Sequence, residues 1–439
     1  MLGYSTTTLK MAGGLMQLVA YGAQDVYLTG NPKVTFFQAV YKRHTNFAME
    51  NIEQTVNGTA ANSGRVSVTV ARNGDLVGDM YLEMESDATS SNTHSGIPAV
   101  WVAERAIASA ELSIGGQRID KHYQRWWRLY SELYLDESKK ASWGKMTTAM
   151  DSKTVYLPLI FFFNRNPGLF LPLIALQYHE VRIDFDLASD METYLNKGVF
   201  KVWANYVYLD TEERRRFAQK GHEYLIEQVQ HTGSDTVTAG TTSNKRLSYN
   251  HPVKELVWCF NDPATANTST ALWNFTSETG RTGIVLESDP TSPNSIGAAG
   301  VSNNYVPISQ GTGVPLLRSG KNGWCDIKFN EETVGPLTDF KLVLNGQDRF
   351  KAQKGKYFNQ VQAYNHHSGN PYPGVYSYSF ALKPEEHQPT GTCNFSRIDN
   401  AQVAVTLPAG IASTTLNMFA VNYNVLRIQS GMGGLAFSN

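Results

Sequence analysis

An internal repeat constrains this chain more than any other feature. Ile52-Glu53-Gln54 followed by Gly58 returns as Ile226-Glu227-Gln228 followed by Gly233. Glu111-Leu112-Ser113-Ile114-Gly115-Gly116-Gln117-Arg118 is echoed by Lys341-Leu342-Val343-Leu344-Asn345-Gly346-Gln347-Asp348-Arg349. Asn205-Tyr206 closes the first half as Asn422-Tyr423 closes the second. The order is kept while the offset drifts, from 226 − 52 = 174 to 347 − 117 = 230, so the second copy carries an insertion. Residues 262–335, dense in Ser, Thr, Asn, Gly and Pro, supply it and have surface-loop composition. Two copies are too few for a solenoid, so the chain reads as two similar domains in tandem.

Within each copy the local pattern is that of strands. Arg65-Val66-Ser67-Val68-Thr69-Val70 alternates polar and apolar and stops at Asn73-Gly74-Asp75, a turn sequence. Residues 79–85, 181–187, 199–209 and 402–407 read the same way. The best helical periodicity lies over residues 122–135, through Trp126, Trp127, Tyr130, Leu133 and Tyr134. An all-β chain of many short strands is a sandwich or barrel, here two sandwiches. The predicted organisation is an arm over residues 1–45, a first sandwich over 46–211, a charged linker over 212–222 and a second sandwich over 223–439.

Composition narrows the function. With 38 basic and 39 acidic residues the net charge is −1, which argues against a dedicated nucleic-acid binder. Hydrophobic residues at 41% and aromatics at 11% exclude general disorder. Cys259, Cys325 and Cys393 form no CxxC pair, so neither a thiolate zinc site nor a disulfide framework is expected, and a reducing compartment fits. No secretory signal is read at the N-terminus. The longest apolar runs, broken at Asn164-Arg165-Asn166-Pro167-Gly168, are too short for a membrane helix.

Each candidate chemical motif has a plainer structural reading. Asp184-Phe185-Asp186 has the DxD form able to hold a divalent cation, since alternation puts both carboxylates on one face. A solvated strand face, with Arg182 in line as a charge neighbour, is the favoured reading. His179-Glu180 and His366-His367 are adjacent pairs that point to opposite sides, and His366-His367 precedes the loop Ser368-Gly369-Asn370-Pro371. Surface histidines are expected there. Gly115-Gly116 and Gly431-Met432-Gly433-Gly434 match no phosphate-binding spacing and suit strand ends. Arg214-Arg215-Arg216 and Lys220 are offset by Glu212, Glu213 and Glu223, as in a solvated linker. Trp126, Trp127 and Tyr130 suit a helix laid across a sandwich end or buried at a subunit contact. Asn57, Asn267, Asn274 and Asn394 stand in sequons, as candidate glycan sites.

Several blocks resemble the major capsid proteins of large icosahedral double-stranded DNA viruses, chlorovirus type. They include Met11-Ala12-Gly13-Gly14-Leu15, residues 17–32, 114–122, 158–163, 172–181 and 217–228. Residues 344–350, 379–383, 391–400 and 422–435 carry the likeness through the second half. Residues 1–10 and the 262–335 insertion depart from it. The resemblance implies two tandem eight-stranded antiparallel jelly rolls, with short helices in loops. It also implies a homotrimeric capsomer, an icosahedral shell over an inner membrane, and contacts with neighbouring capsomers and minor capsid proteins. Assembly in the host cytoplasm and glycans added by virus-encoded enzymes, outside the sequon rule, belong to the same expectation. No enzyme activity, cofactor, metal or direct genome contact is expected. The arm, irregular over residues 13–32, is expected to reach beneath the capsomer. The rival from another class is a carbohydrate-binding or carbohydrate-active tandem sandwich using Asp184, Asp186 and the aromatic helix; a chaperone-like sandwich lacks the acidic tail it would need.

Overall fold

A computed structural model describes residues 13–86, 101–148, 154–193, 195–261, 335–371, 374–409 and 414–437. It adds Phe275 and four two-residue strands within the insertion. Residues 1–10 and most of 262–335 lie outside the described residues.

Residues 1–46 separate as one unit and 47–439 as another. The first unit holds short helices at Gly13–Val19 and Val26–Thr29, and almost all of its large apolar side chains are exposed, Phe37 to 99%.

The second unit holds two sandwiches of antiparallel sheets. In the first, one sheet runs in the order Phe47–Gln54, Leu195–Leu209, Leu76–Ser86, Thr154–Pro158. Its opposing sheet runs Val56–Gly58, Arg65–Thr69, Val181–Leu187, Ile107–Ile114, Gln117–Tyr123. The second sandwich repeats this. Its sheets run His222–Val237, Thr414–Gln429, Pro252–Asn261, Val375–Ser379, and Thr242–Leu247, Ala401–Thr406, Asp339–Leu344, Gln347–Asp348. Apart from short hairpins such as Ile107–Ile114 with Gln117–Tyr123, the chain crosses between the two sheets and its strands pair with strands distant in sequence, the jelly-roll form of the β-sandwich.

All three repeated motifs fall on equivalent strands. The glycine pairs form the same hairpin, with Gly115 and Gly116 at φ 58° and 83° and Asn345 and Gly346 at φ 48° and 79°. That left-handed turn is what glycine and asparagine supply most cheaply. Residue-level register is not kept, however. Asn205 lies opposite Asn51, one position before Ile52, whereas Asn422 lies opposite Gln228, two positions after Ile226. The repeat is therefore one of strands, slipped by three residues between copies.

The segment expected as a solvated linker is largely a helix, Thr211–Gln219. Asp75, itself buried, receives Arg214 Nε at 2.9 Å and the Leu209 amide at 2.9 Å, which fastens the helix start to the first sandwich. Arg214 of the basic run thus anchors the helix, while Arg215 pairs with Glu212 at 3.5 Å within it. The core of the second sandwich centres on Trp258, Phe340, Phe358 and Tyr376. The core of the first is continuous with Val257, Cys259, Val375, Phe419 and Val421 of the second.

Candidate assembly surfaces

That continuity arises because one sheet of the second sandwich is buried on both faces. Along Thr414–Gln429, Leu416, Met418 and Ala420 enter its own core, while Phe419 and Val421 join the first sandwich's core. Along Pro252–Asn261, Leu256, Trp258 and Phe260 point one way and Val257 and Cys259 the other. The covering element is the helix Gln124–Tyr134 of the first sandwich. Its Trp126 packs on Phe419 with ring centres 5.7 Å apart, and Tyr123, just before it, meets His231 at 5.0 Å.

Trp126 and Trp127 are thus buried inside the chain, Trp127 completely, and the indole area goes to packing within one chain rather than to a subunit contact. Tyr130 is half-buried at the same seam, stacked on Tyr134 at 5.0 Å. Of the two sequence readings, a helix laid across a sandwich end or one buried at a subunit contact, the burial of Trp126 and Trp127 within the chain fits the first.

Charged groups also cross the seam. Glu227 of the second sandwich receives Lys254 Nζ at 2.6 Å and, from the first sandwich, Arg165 Nη2 at 2.9 Å. Burial alone would raise the Glu227 carboxyl, but the two cations outweigh it and hold it below the ordinary range. Beneath the helix, buried Arg128 meets Glu104 at 3.3 Å and Glu132 at 3.0 Å, and Lys140 meets Glu132 at 3.2 Å. A cleft of about 340 Å³ opens between Tyr130, Tyr134, Arg165, Glu227, Glu385 and His387.

The equivalent sheet of the first sandwich is not covered. Its outer face carries Met49, Asn51 and Glu53, then Trp203 and Asn205, then Tyr81 and Glu83, then Tyr156. Met49 is 53% exposed and Tyr156 is exposed too. The polar groups here are mutually satisfied: Trp203 Nε1 donates to Glu83 at 2.6 Å and the Tyr81 hydroxyl to Asn51 at 3.3 Å. Tyr81 and Tyr156 meet edge to face at 5.8 Å. A flat aromatic face with pre-paired polar groups is suited to being covered by another surface.

The remaining candidates fall elsewhere. Asp184 and Asp186 share one face, but Asp184 lies 3.3 Å from Arg65 and 2.8 Å from Arg182, and Asp186 takes a hydrogen bond from Ser109 at 2.9 Å. Burial works against the charge of Asp184, and hydrogen bonds from Ser67, Arg182 and Arg65 lower its carboxyl nonetheless. Among the described residues no group of three or more His, Cys, Asp or Glu is placed to hold a metal ion. His179 Nδ1 sits 2.9 Å from the Gly433 carbonyl, Glu180 is exposed, and His366 Nδ1 lies 3.0 Å from the Leu382 carbonyl. Asn57 is exposed; Asn394 is exposed and its side chain accepts from the Ser396 amide at 3.0 Å, while Asn267 and Asn274 lie outside the described residues.

His367 is the residue that sequence reasoning missed. Its ring is fully covered, not a surface-loop group, with Nε2 hydrogen-bonded to Glu255 and Nδ1 3.2 Å from Glu385. The available signal was Lys254-Glu255, two charges inside an apolar strand, which must be paired if that strand is buried on both faces.

Comparison with known proteins places these surfaces in context. Residues 213–434 match the family model described as large eukaryotic DNA virus major capsid protein, and residues 35–210 match major capsid protein N-terminus. A major capsid protein of Paramecium bursaria Chlorella virus 1 is 44% identical, over 98% of this chain and 100% of that one. One from Phaeocystis pouchetii virus is 40% identical with the same coverage. A chain from the quasi-atomic model of the PBCV-1 virus capsid superposes with a TM-score of 0.74 at 39% identity, covering 92% of this chain and 100% of that one. The Faustovirus major capsid protein shares the fold at 12% identity, with a TM-score of 0.65.

Proposed function

Since the chain belongs to the major capsid protein family of large eukaryotic DNA viruses, we propose that its working unit is a homotrimer with six sandwich lobes. It is a structural virion component, and its work is assembly rather than catalysis. One observation carries the trimer: the same sheet is covered within the chain in the second sandwich and open in the first. A contact between unlike surfaces generates a ring when its rotation closes. Repeating the intrachain contact between chains would place the second sandwich of one copy on the open sheet of the next. The second sandwich has the matching equipment, in the place that Gln124–Tyr134 occupies in the first. Its helix Gln362–His366 lies between the corresponding strands and presents Tyr364 at 89% exposure, with Leu382 beside it in the next loop also exposed.

The test is native mass by light scattering. The wild-type chain should run near three times 48.7 kDa, about 146 kDa. Met49→Glu combined with Tyr156→Glu should run as a monomer with unfolding within about 0.5 kcal/mol of wild type, because both sites are exposed. A monomeric wild type at all concentrations, or a trimeric variant, would refute the arrangement.

The arm forms a second set of contacts, between capsomers or with minor capsid proteins on the side of an inner membrane. Its exposed Tyr27, Phe36, Phe37 and Tyr41 are the support, since large apolar side chains concentrated on one short segment suit a surface that a partner covers. Deleting residues 1–45 should leave a trimer, lighter than the 146 kDa of three full 48.7 kDa chains, and abolish ordered arrays in electron micrographs. Arrays formed normally by the truncated chain would remove this role.

A further inference from the structure

The His367 ring is held between two carboxylates, one at each nitrogen. Glu255 faces Nε2, and Glu385 Oε1 faces Nδ1 at 3.2 Å. A neutral imidazole has one N–H and one lone pair, so only the doubly protonated ring can donate to both. The surroundings reinforce the positive charge. Tyr134, the last residue of the helix Gln124–Tyr134, meets the ring edge to face at 5.1 Å and donates its hydroxyl to Glu255 Oε2 at 2.5 Å. A helix C-terminus favours a nearby cation.

The loop carrying His367 also caps that helix across the seam. The Gly369 amide donates to the Leu133 carbonyl at 3.1 Å, the Ser368 hydroxyl to the Tyr134 carbonyl at 3.4 Å, and Lys140 Nζ of the first sandwich to the Asn370 carbonyl at 2.5 Å. A Cβ at Gly369 would stand 2.3 Å from the Glu132 carbonyl oxygen, so the two backbones are in direct contact. Glu385 fixes the loop from behind, accepting from the Ser368 amide at 2.8 Å and its hydroxyl at 3.1 Å.

We propose that the His367 imidazolium is a proton-dependent clasp that locks this loop of the second sandwich onto the helix end of the first. The charged and titratable groups around it are Glu255 on its strand, Glu385 and His387 on the following loop, and Tyr134 on the helix. Beyond them lies the Arg165–Glu227–Lys254 chain. Losing the proton leaves one ring nitrogen as a lone pair against a carboxylate and strips the helix end of its cation. Burial alone would lower the basicity of the ring, but Glu255 and then Glu385 lift it to about 9. The folded-state value thus lies above the unfolded one. The clasp is complete below the unfolded value, near 6.5, and is lost as pH rises through about 9.

The inference concerns a contact within one chain and stands whether or not the trimer forms. Melting temperature followed from about pH 5.5 to about 10.5 tests it in the wild type, in Glu385→Gln and in His367→Gln. The wild type should lose stability progressively above about pH 6.5 and level off above about pH 9. Glu385 is partly exposed, so Glu385→Gln should fold and bring the levelling-off point down by about one unit or more, as removing one adjacent opposite charge does. His367→Gln should melt lower than the wild type at the acid end of the scan and show no such loss. Limited proteolysis at residues 367–371 should turn on over the same range in the wild type. A levelling-off point unmoved by Glu385→Gln, or a wild type flat over the whole scan, would overturn the clasp.

Discussion

Glu227→Gln is expected to destabilise the chain by about 3–5 kcal/mol, the usual loss when one member of a buried ion pair is removed. The carboxylate is buried between Lys254 Nζ at 2.6 Å and Arg165 Nη2 at 2.9 Å, and the lysine is itself buried. An amide donates at one of its two positions, so it faces at least one cation with an N–H. Lys254 then remains as an uncompensated charge that keeps the Pro384 carbonyl, at 2.7 Å, as its acceptor among the described residues. Burial already lowers the affinity of Lys254 for its proton, and without Glu227 nothing comparable offsets it. Denaturant unfolding at pH 7 measures the loss. Adding Lys254→Met should recover a large part of it, because a well-packed apolar pair often replaces a buried ion pair without net cost. A loss below about 1 kcal/mol, or a double variant no better than the single, would show that the seam does not depend on this charge.

Trp258→Ala should lower stability by about 3–5 kcal/mol through the second sandwich. The indole is fully buried, stacked on Phe340 at 4.4 Å and packed against Phe358 at 5.4 Å and Tyr376 at 5.9 Å. Removing it opens a cavity among rigid rings that cannot close around it. Trp258→Phe should cost under about 1.5 kcal/mol, since ring packing is largely kept. The buried Nε1 has no hydrogen-bond partner among the described residues, so losing that N–H forfeits nothing. Calorimetry on both variants checks the ordering; equal losses would mean that the indole nitrogen has a partner or that the core collapses freely.

How much of this was legible in the sequence depended on how local the cause was. Arg65–Thr69 and Val181–Leu187 are half-buried strands that alternate in sequence, and they fold as read. The tandem repeat was visible because equivalent hairpins need the same glycine-bearing turn, and the comparisons bear out the capsid fold. The difference between the two equivalent sheets was less visible. Leu256-Val257-Trp258-Cys259-Phe260 is a continuous apolar run, the mark of a strand buried on both faces, whereas Asp79, Tyr81, Glu83 and Glu85 interrupt its counterpart. The tryptophans of Gln124–Tyr134 were recognised as packing groups, but no sequence rule says whether a helix face meets its own chain or another. Lys254-Glu255 signalled that buried charge needed a partner, but that His367 supplies it was hidden for the same reason. Its two partners are a strand residue 112 positions before it and a loop residue 18 positions after it, brought together only by the seam.

The short helix Thr211–Gln219 that joins the two sandwiches has a consequence for mass action. In the proposed ring of six lobes built from three chains, every second lobe contact forms inside a chain. A short tether supplies its partner at an effective concentration on the order of millimolar, whatever the dilution. Closing the ring then scales with the third power of chain concentration, where six separate lobes would require the sixth. An infected cell early in synthesis, holding little coat protein, would complete rings sooner with fused lobes than with free ones. The fusion also fixes the ratio and alternation of the two lobe types, so that no ring can be assembled with the wrong neighbours.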